Sequence, residues 1–342
     1  MSEALKKDNT AAGGGLQKTI GFVPALAIVI GMVIGSGVFF KPHAVFTATG
    51  APGLGLIAWI LGGVITIAGG LTAAEVAAAI PKTGGMITYL EETYGPIWGY
   101  LLGWAQTVIY FPATIAALAI IFATQVLSLL NLSDAMLLPI AIIAIIFLVI
   151  MNSLGSKTGG AIQTVATAGK LIPLIAIIIM GLINGDGGAA RLVPMTAVNH
   201  PVATSLGSAL IATMFAYDGW INVGAIAGEM KNPGKDLPKA IIGGLSIVMA
   251  IYLLINVAYL FVLPASALAA TATPAADVAK VLFGPNGGKI ITVGILVSIF
   301  GALNGYIMTG MRIPYAMALE NKLPFSNVFS KLHPKFGTPV SC

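Results

Sequence analysis

Residues 33–42 read VIGSGVFFKP and sit in the middle of an apolar stretch that begins near Ile20. Gly35, Ser36 and Gly37 fall where a membrane-spanning helix would lie deepest in lipid. Gly is among the poorest helix formers, and a loosened backbone in hydrocarbon has no water to satisfy its amides and carbonyls. Taken alone, the triplet fits either close helix packing through small residues or a deliberate break that lines a polar cavity.

The chain around it is built for a bilayer. Of 342 residues, 57% are hydrophobic and only 8% charged, and the mean hydropathy is +0.96. Eight apolar segments are long enough to cross, each needing about 20 residues. They lie at 20–43, 53–80, 96–130, 135–152, 158–183, 204–229, 237–263 and 287–318. The connections carry turn residues: PKTGG after the second, NLSD after the third, NGDGG after the fifth and KNPGKDLP after the sixth. The less apolar 264–286 reads as one or two short interfacial helices. No removable signal peptide is expected, because the polar start precedes a span too long for an h-region.

Basic residues orient the spans. With the amino terminus in the cytoplasm, twelve Lys and Arg fall in inside segments and four (Lys41, Arg191, Lys280 and Lys289) in outside ones. That asymmetry obeys the positive-inside rule and accounts for the net charge of +5 without a nucleic-acid partner. The single cysteine, Cys342, forms no framework, and His43, His200 and His333 are too scattered to be a ligand set. No metal or cofactor is expected. An intramembrane enzyme is disfavoured, since no HExxH, GxSxG or Cys–His motif is present.

The sixth segment holds a counterpart to the first. Phe215-Ala-Tyr-Asp-Gly-Trp220 places an acid and a glycine mid-membrane. Interrupted helices at the first and sixth positions point to a secondary transporter made of two inverted five-helix repeats. The broken first helix offers amide N–H groups at a half-helix start, where a carboxylate is favoured. The broken sixth offers carbonyls that suit an ammonium. Together they describe a receptor for an amino-acid zwitterion. A channel is the rival, but filters are generally rings of repeated groups and this cradle is single and asymmetric.

Lys170 is the other anomaly. It lies midway along the fifth segment, where a lysine costs about 2.5–3.5 kcal/mol on insertion scales. Snorkelling would have to reach past about 18 Å of helix. Glu75 and Glu229 lie nearer the cytoplasmic ends and read as packing or gate ion-pair residues.

IGSGVFFKP, PKTGGMITYLEETYGPIWGYLLGW, FAYDGW with GEMKNPGKDLPKAI, and GALNGYIMTGMRIPYAMALENKLP resemble the amino acid–polyamine–organocation superfamily. The likeness is greatest to its L-amino-acid transporter subfamily and to bacterial serine/threonine or alanine/serine exchangers. The resemblance implies an all-α polytopic membrane protein with a LeuT-type inverted-repeat fold and discontinuous helices 1 and 6. It assigns Gly35, Ser36 and Gly37 to the substrate carboxylate through backbone N–H groups, and the carbonyls of Val33, Phe215, Ala216 and Asp218 to the α-ammonium. Phe215 matches the aromatic gate that closes over substrate, Asn304 a polar position near the pocket, and Tyr110 a side wall. Lys170 resembles the sodium-independent variant, its ammonium replacing a cation between helices 1, 5 and 8, and Tyr252 resembles its tyrosine partner. The Asp218 side chain has no counterpart in some animal relatives, so its role stays open.

The implied organisation is a cytoplasmic tail at 1–19 and a transmembrane domain at 20–320, with a first repeat at 20–183 and a partial second at 204–320. Residues 321–342 then lead to a missing helix 9. The sequence is thus expected to be partial, truncated after helix 8, and the function to be that of its parent. That function is exchange of small or medium neutral L-amino acids across the cytoplasmic membrane, independent of sodium. Proton-coupled symport and a non-transporting membrane fragment are the alternatives. The sequence identifies no partner subunit.

Overall fold

The computed structural model describes residues 16–339, except 81, 83 and 199. Residues 1–15 of the amino-terminal tail, part of the PKTGG turn and Cys342 therefore lie outside the described residues. Eight helical segments are long and apolar enough to cross a membrane: Phe22–Thr49, Pro52–Ala79, Pro96–Leu130, Asp134–Ser153, Ser156–Asn184, Val202–Glu229, Pro233–Val262 and Gly287–Leu319. We number them spans 1 to 8. Spans alternate in direction, so the molecule has an Ile20 side and a Gly50 side.

Spans 1, 2, 6 and 7 pack as one group, and spans 3, 4 and 8 as another, with span 5 touching both. The helix junctions follow local chemistry. Span 1 extends beyond 43, carrying Pro42 inside its second helical half at the cost of one i→i−4 bond, and it stops at Gly50 in a left-handed conformation (φ 61°). Span 7 begins at Pro233, earlier than the KNPGKDLP turn suggests, because proline is favoured at the first helical position, which Pro233 occupies. Span 3 loosens to a π-turn over Gln106–Tyr110, next to Pro112, which has no N–H to donate back to Val108. Segment 264–286 forms two short helices, Ala265–Ala270 and Pro274–Phe283.

Two spans are interrupted. Span 1 is helical over Phe22–Val33 and again over Gly37–Thr49. Span 6 is helical over Val202–Ala216, turns at Tyr217-Asp218-Gly219 and continues as a 3₁₀ helix over Trp220–Glu229. The breaks meet: a Cβ added to Gly37 would lie 2.9 Å from Ala216 Cα. Only glycine permits that approach.

Candidate functional site

The span 1 break exposes two helix ends of opposite polarity. At the carboxyl end of its first half, carbonyl oxygens converge on span 5. Lys170 is fully buried, and its Nζ donates to Gly31 O (2.8 Å), Ile34 O (2.6 Å) and, from span 8, Ser298 O (3.0 Å). Ser298 Oγ lies 3.0 Å from both Ile34 O and Gly35 O. An ammonium has three N–H donors and no acceptor, so three carbonyls match it one for one. A positive charge at a helix carboxyl end is also the favoured sign. Spans 1, 5 and 8 are joined at this point.

The second half of span 1 begins at Gly37, and its amino end faces a cavity of about 430 Å³. The Gly35 N–H is engaged, donating to Val33 O at 2.8 Å. Among the described residues, the amides of Ser36, Gly37 and Val38 have no backbone acceptor. Of the three N–H groups expected to cradle a carboxylate, two are thus on offer, with Val38 as a third. The cavity runs from both breaks along span 3 towards the Gly50 side, past Ala113, Ala117 and Ile121.

Span 6 supplies the opposite wall. Phe215 stands at the cavity, 60% exposed, with Lys41 Nζ 4.0 Å from its ring centroid. Asp218 reaches the cavity floor, where Tyr110 Oη (2.9 Å) and Tyr306 Oη (3.1 Å) donate to its Oδ2. Asn222 Nδ2 donates in turn to Tyr110 Oη at 3.2 Å. Gly219 (φ 104°) turns the chain beneath Tyr306, whose hydroxyl would lie 2.8 Å from an added Cβ. The carbonyls expected to meet an ammonium are mostly occupied: Phe215 O accepts the Asp218 N–H at 3.3 Å. Val33 O and Ala216 O both lie 2.9 Å from Tyr252 Oη.

Two expected placements differ. Tyr252 does not bond to Lys170; it ties the breaks together and packs beside Trp59 (5.3 Å between ring centroids) and Tyr217 (5.0 Å). Asn304 does not line the cavity. It donates to Gln163 Oε1 (2.8 Å) and Gly159 O (3.2 Å) and accepts from Asn152 (2.9 Å), joining spans 4, 5 and 8. Helix phase explains the difference: two residues turn a helix by about 200°, so Ala302 and Tyr306, one turn apart, face the cavity while Asn304 faces away. Tyr306 and Asn222 went unnoticed in the sequence.

Below the floor the Ile20 side is sealed. Arg312 and Glu229 are fully buried; Arg312 Nε donates to Glu229 Oε1 at 2.6 Å and its second nitrogen to Oε2 at 3.0 Å. Ser156 bonds to both partners, and Met308 O takes a further guanidinium N–H at 2.5 Å. Ile20 bridges backbone to backbone with Glu229 and Lys231 (2.9 and 2.8 Å). Glu75 is exposed on span 2. Among the described residues no cluster of three or more His, Cys, Asp or Glu side chains is placed to hold a metal.

A multi-pass membrane protein with spans 1 and 6 broken opposite each other around a cavity has the LeuT-type architecture. The solved structure described as "Crystal structure of MhsT in complex with L-phenylalanine" shares that fold: TM-score 0.62 at 13% identity, covering 92% of this chain and 77% of that one. The chain belongs to the amino acid permease family, whose description matches residues 20–342, a family of transporters rather than enzymes. It is similar to "Serine/threonine exchanger SteT" of Bacillus subtilis (strain 168), 49% identical over 95% of this chain and 74% of that protein. It is also similar to "Large neutral amino acids transporter small subunit 2" of Mus musculus, 32% identical over 99% of this chain and 65% of that protein. "Asc-type amino acid transporter 1" of Mus musculus is 32% identical over 95% of this chain and 62% of its own length. The chain thus spans about two thirds of the length of the two mouse relatives.

Proposed function

We propose that the protein serves sodium-independent exchange of small neutral L-amino acids of the serine, threonine and alanine kind, with the Ile20 side in the cytoplasm. The observation that carries this reading is the pairing of the free Ser36, Gly37 and Val38 amides with the span 6 turn across one cavity. The amides favour a carboxylate, and the span 6 turn offers Asp218 O and the second lone pairs of its neighbouring carbonyls to an ammonium. Neutrality of the side chain follows from the floor. Asp218, the acid at the cavity, accepts two tyrosine hydroxyls at Oδ2, so its charge is already partly compensated and a cationic side chain would have Oδ1 alone to pair with. An acidic side chain would meet that carboxylate directly.

The names of the three relatives support amino-acid transport, and the cavity of about 430 Å³ accommodates a zwitterion of that size together with water. Lys170 supports exchange over proton symport, because three carbonyls hold its ammonium and a neutral amine would leave one of them without a donor. The excess of basic residues on the Ile20 side supports the orientation in the cytoplasmic membrane.

Counterflow of labelled L-serine in sodium-free proteoliposomes tests the reading. Excess unlabelled serine, threonine or alanine inside should drive uptake, and Lys170→Met should abolish it at every pH. Competition by arginine or glutamate alone would overturn the substrate class. Stoichiometric alkalinisation outside during uptake would overturn exchange.

A further inference from the structure

Phe215 stands at the cavity mouth with most of its ring exposed. An apolar ring in that position gains by folding over the cavity and leaving water, so something must hold it aside. The structure offers one group. Lys41, on the second half of span 1, places its Nζ 4.0 Å from the ring centroid, within the range where a cation is attracted to the ring face. Among the described residues Lys41 has no ion pair; Asp277 is engaged by Lys280 and Thr271, and Asp218 by Tyr110 and Tyr306. The ring is thus its recorded partner.

Lys41 also stands four residues beyond Gly37, on the same helical face and about 6 Å along the axis from the free amides. We propose that Lys41 is a gate-positioning residue that holds Phe215 open until a carboxylate reaches the Ser36–Val38 amides. Until a carboxylate is bound, the ammonium and ring hold each other. An anion one turn away competes for the ammonium more strongly than a ring quadrupole does, since charge–charge attraction falls off slowly in a low-dielectric cleft. The ammonium then turns to the carboxylate and Phe215 is released to cover the substrate. Binding and closure are linked through one side chain, and a molecule with an amine but no carboxylate does not trigger it. The trigger rests on the proposed amino-acid reading; the Lys41–Phe215 latch does not.

Ala117 lines the cavity and is exposed, so a cysteine there reports closure. The test uses Ala117→Cys in a Cys342→Ser background, in nanodiscs, with a charged thiol reagent as the timed label. Without amino acid, Lys41→Gln should slow labelling by about two- to thirty-fold, the range a cation–ring contact supports, and Lys41→Arg should keep the original rate. In a Phe215→Leu background, Lys41→Gln should change nothing, which separates the latch from a folding defect. With Lys41 present, L-serine should slow labelling and 2-amino-1,3-propanediol, which lacks the carboxylate, should not. An unchanged rate in Lys41→Gln, or equal slowing with and without the Phe215 ring, overturns the latch. If L-serine fails to protect the Lys41 protein, the substrate reading and the trigger fall together, while the ligand-free rates still decide the latch.

Discussion

The two ends of the cavity are controlled by different physics. On the Gly50 side the cavity mouth is guarded by one exposed ring and one ammonium, a contact of about 0.5–2 kcal/mol. On the Ile20 side a bidentate Arg312–Glu229 pair is fully buried and further bonded by Ser156 and Met308 O. A weak latch can be reset by a small ligand's charge. A buried ion pair cannot be opened by anything so small, because separating the charges requires that both be solvated. The described conformation is therefore open on the Gly50 side and shut on the other, and access from the Ile20 side requires the Arg312–Glu229 seal to move.

The largest effect should come from breaking the buried pair. Arg312→Met leaves Glu229 uncompensated in the core and should lose about 3–5 kcal/mol of stability. Replacing both, Arg312→Met with Glu229→Met, should recover most of the loss, since no charge is then left buried. Unfolding midpoints in mild detergent for the four proteins of that cycle measure the coupling. Additive losses in the double variant would mean that the pair is not the seal described.

A smaller effect distinguishes the two glycines that flank Ser36. An added Cβ at Gly37 would sit 2.9 Å from Ala216 Cα and 3.0 Å from its Cβ, whereas at Gly35 the nearest atom is Ala302 Cβ at 3.4 Å. Gly37→Ala must push spans 1 and 6 apart, at an overpacking cost of about 1–3 kcal/mol, and should weaken L-serine binding by roughly tenfold or more. Gly35→Ala keeps ordinary contacts and should shift affinity by no more than about twofold. Equilibrium binding of labelled serine decides it; equal losses would show that the carboxylate is held elsewhere than at the crossing.

The sequence disclosed what was chemically out of place in its surroundings. Gly35-Ser36-Gly37 and Asp218-Gly219 stood out in apolar runs and mark the breaks; Lys170 stood out for the same reason and joins spans 1, 5 and 8. What stayed hidden was rotation. Around Asn304, span 8 is buried all round from Gly301 to Thr309, so no amphipathic stripe fixes its phase there, and Asn304 takes the face opposite the one that Ala302 and Tyr306 occupy. The Arg312–Glu229 pair was half visible. Glu229 reads as a gate acid, but its partner is 83 residues away, and that partner, Arg312, lies within the predicted 287–318 span. A charge inside a predicted span was the available signal, and it is the one that singled out Lys170.

The weakest prediction concerns the rim of the Ile20 side, where the same kind of ion pair meets water. Half-buried Lys322, just past span 8, bonds to Glu91, on the helix before span 3, and to Glu320. Burial pulls the Lys322 pKa down, but the hydrogen bonds and attraction of Glu320 and Glu91 outweigh it, so the value stands above the ordinary 10.5. A raised lysine pKa contributes stability that is fully present below the unfolded value and is lost as pH rises through the folded one. Between pH 6 and 9 the contribution should therefore be flat. Lys322→Gln should cost under about 1 kcal/mol, since rim pairs pay side-chain entropy and are screened. Raising salt to about 1 M, where the screening length falls to about 3 Å, should erase most of that difference. The Arg312→Met loss should persist at the same salt, because ions do not reach a buried pair. If Lys322→Gln matched Arg312→Met in size, or ignored salt, the seal would extend to the rim and the contrast between buried and solvated closure on this side would fail.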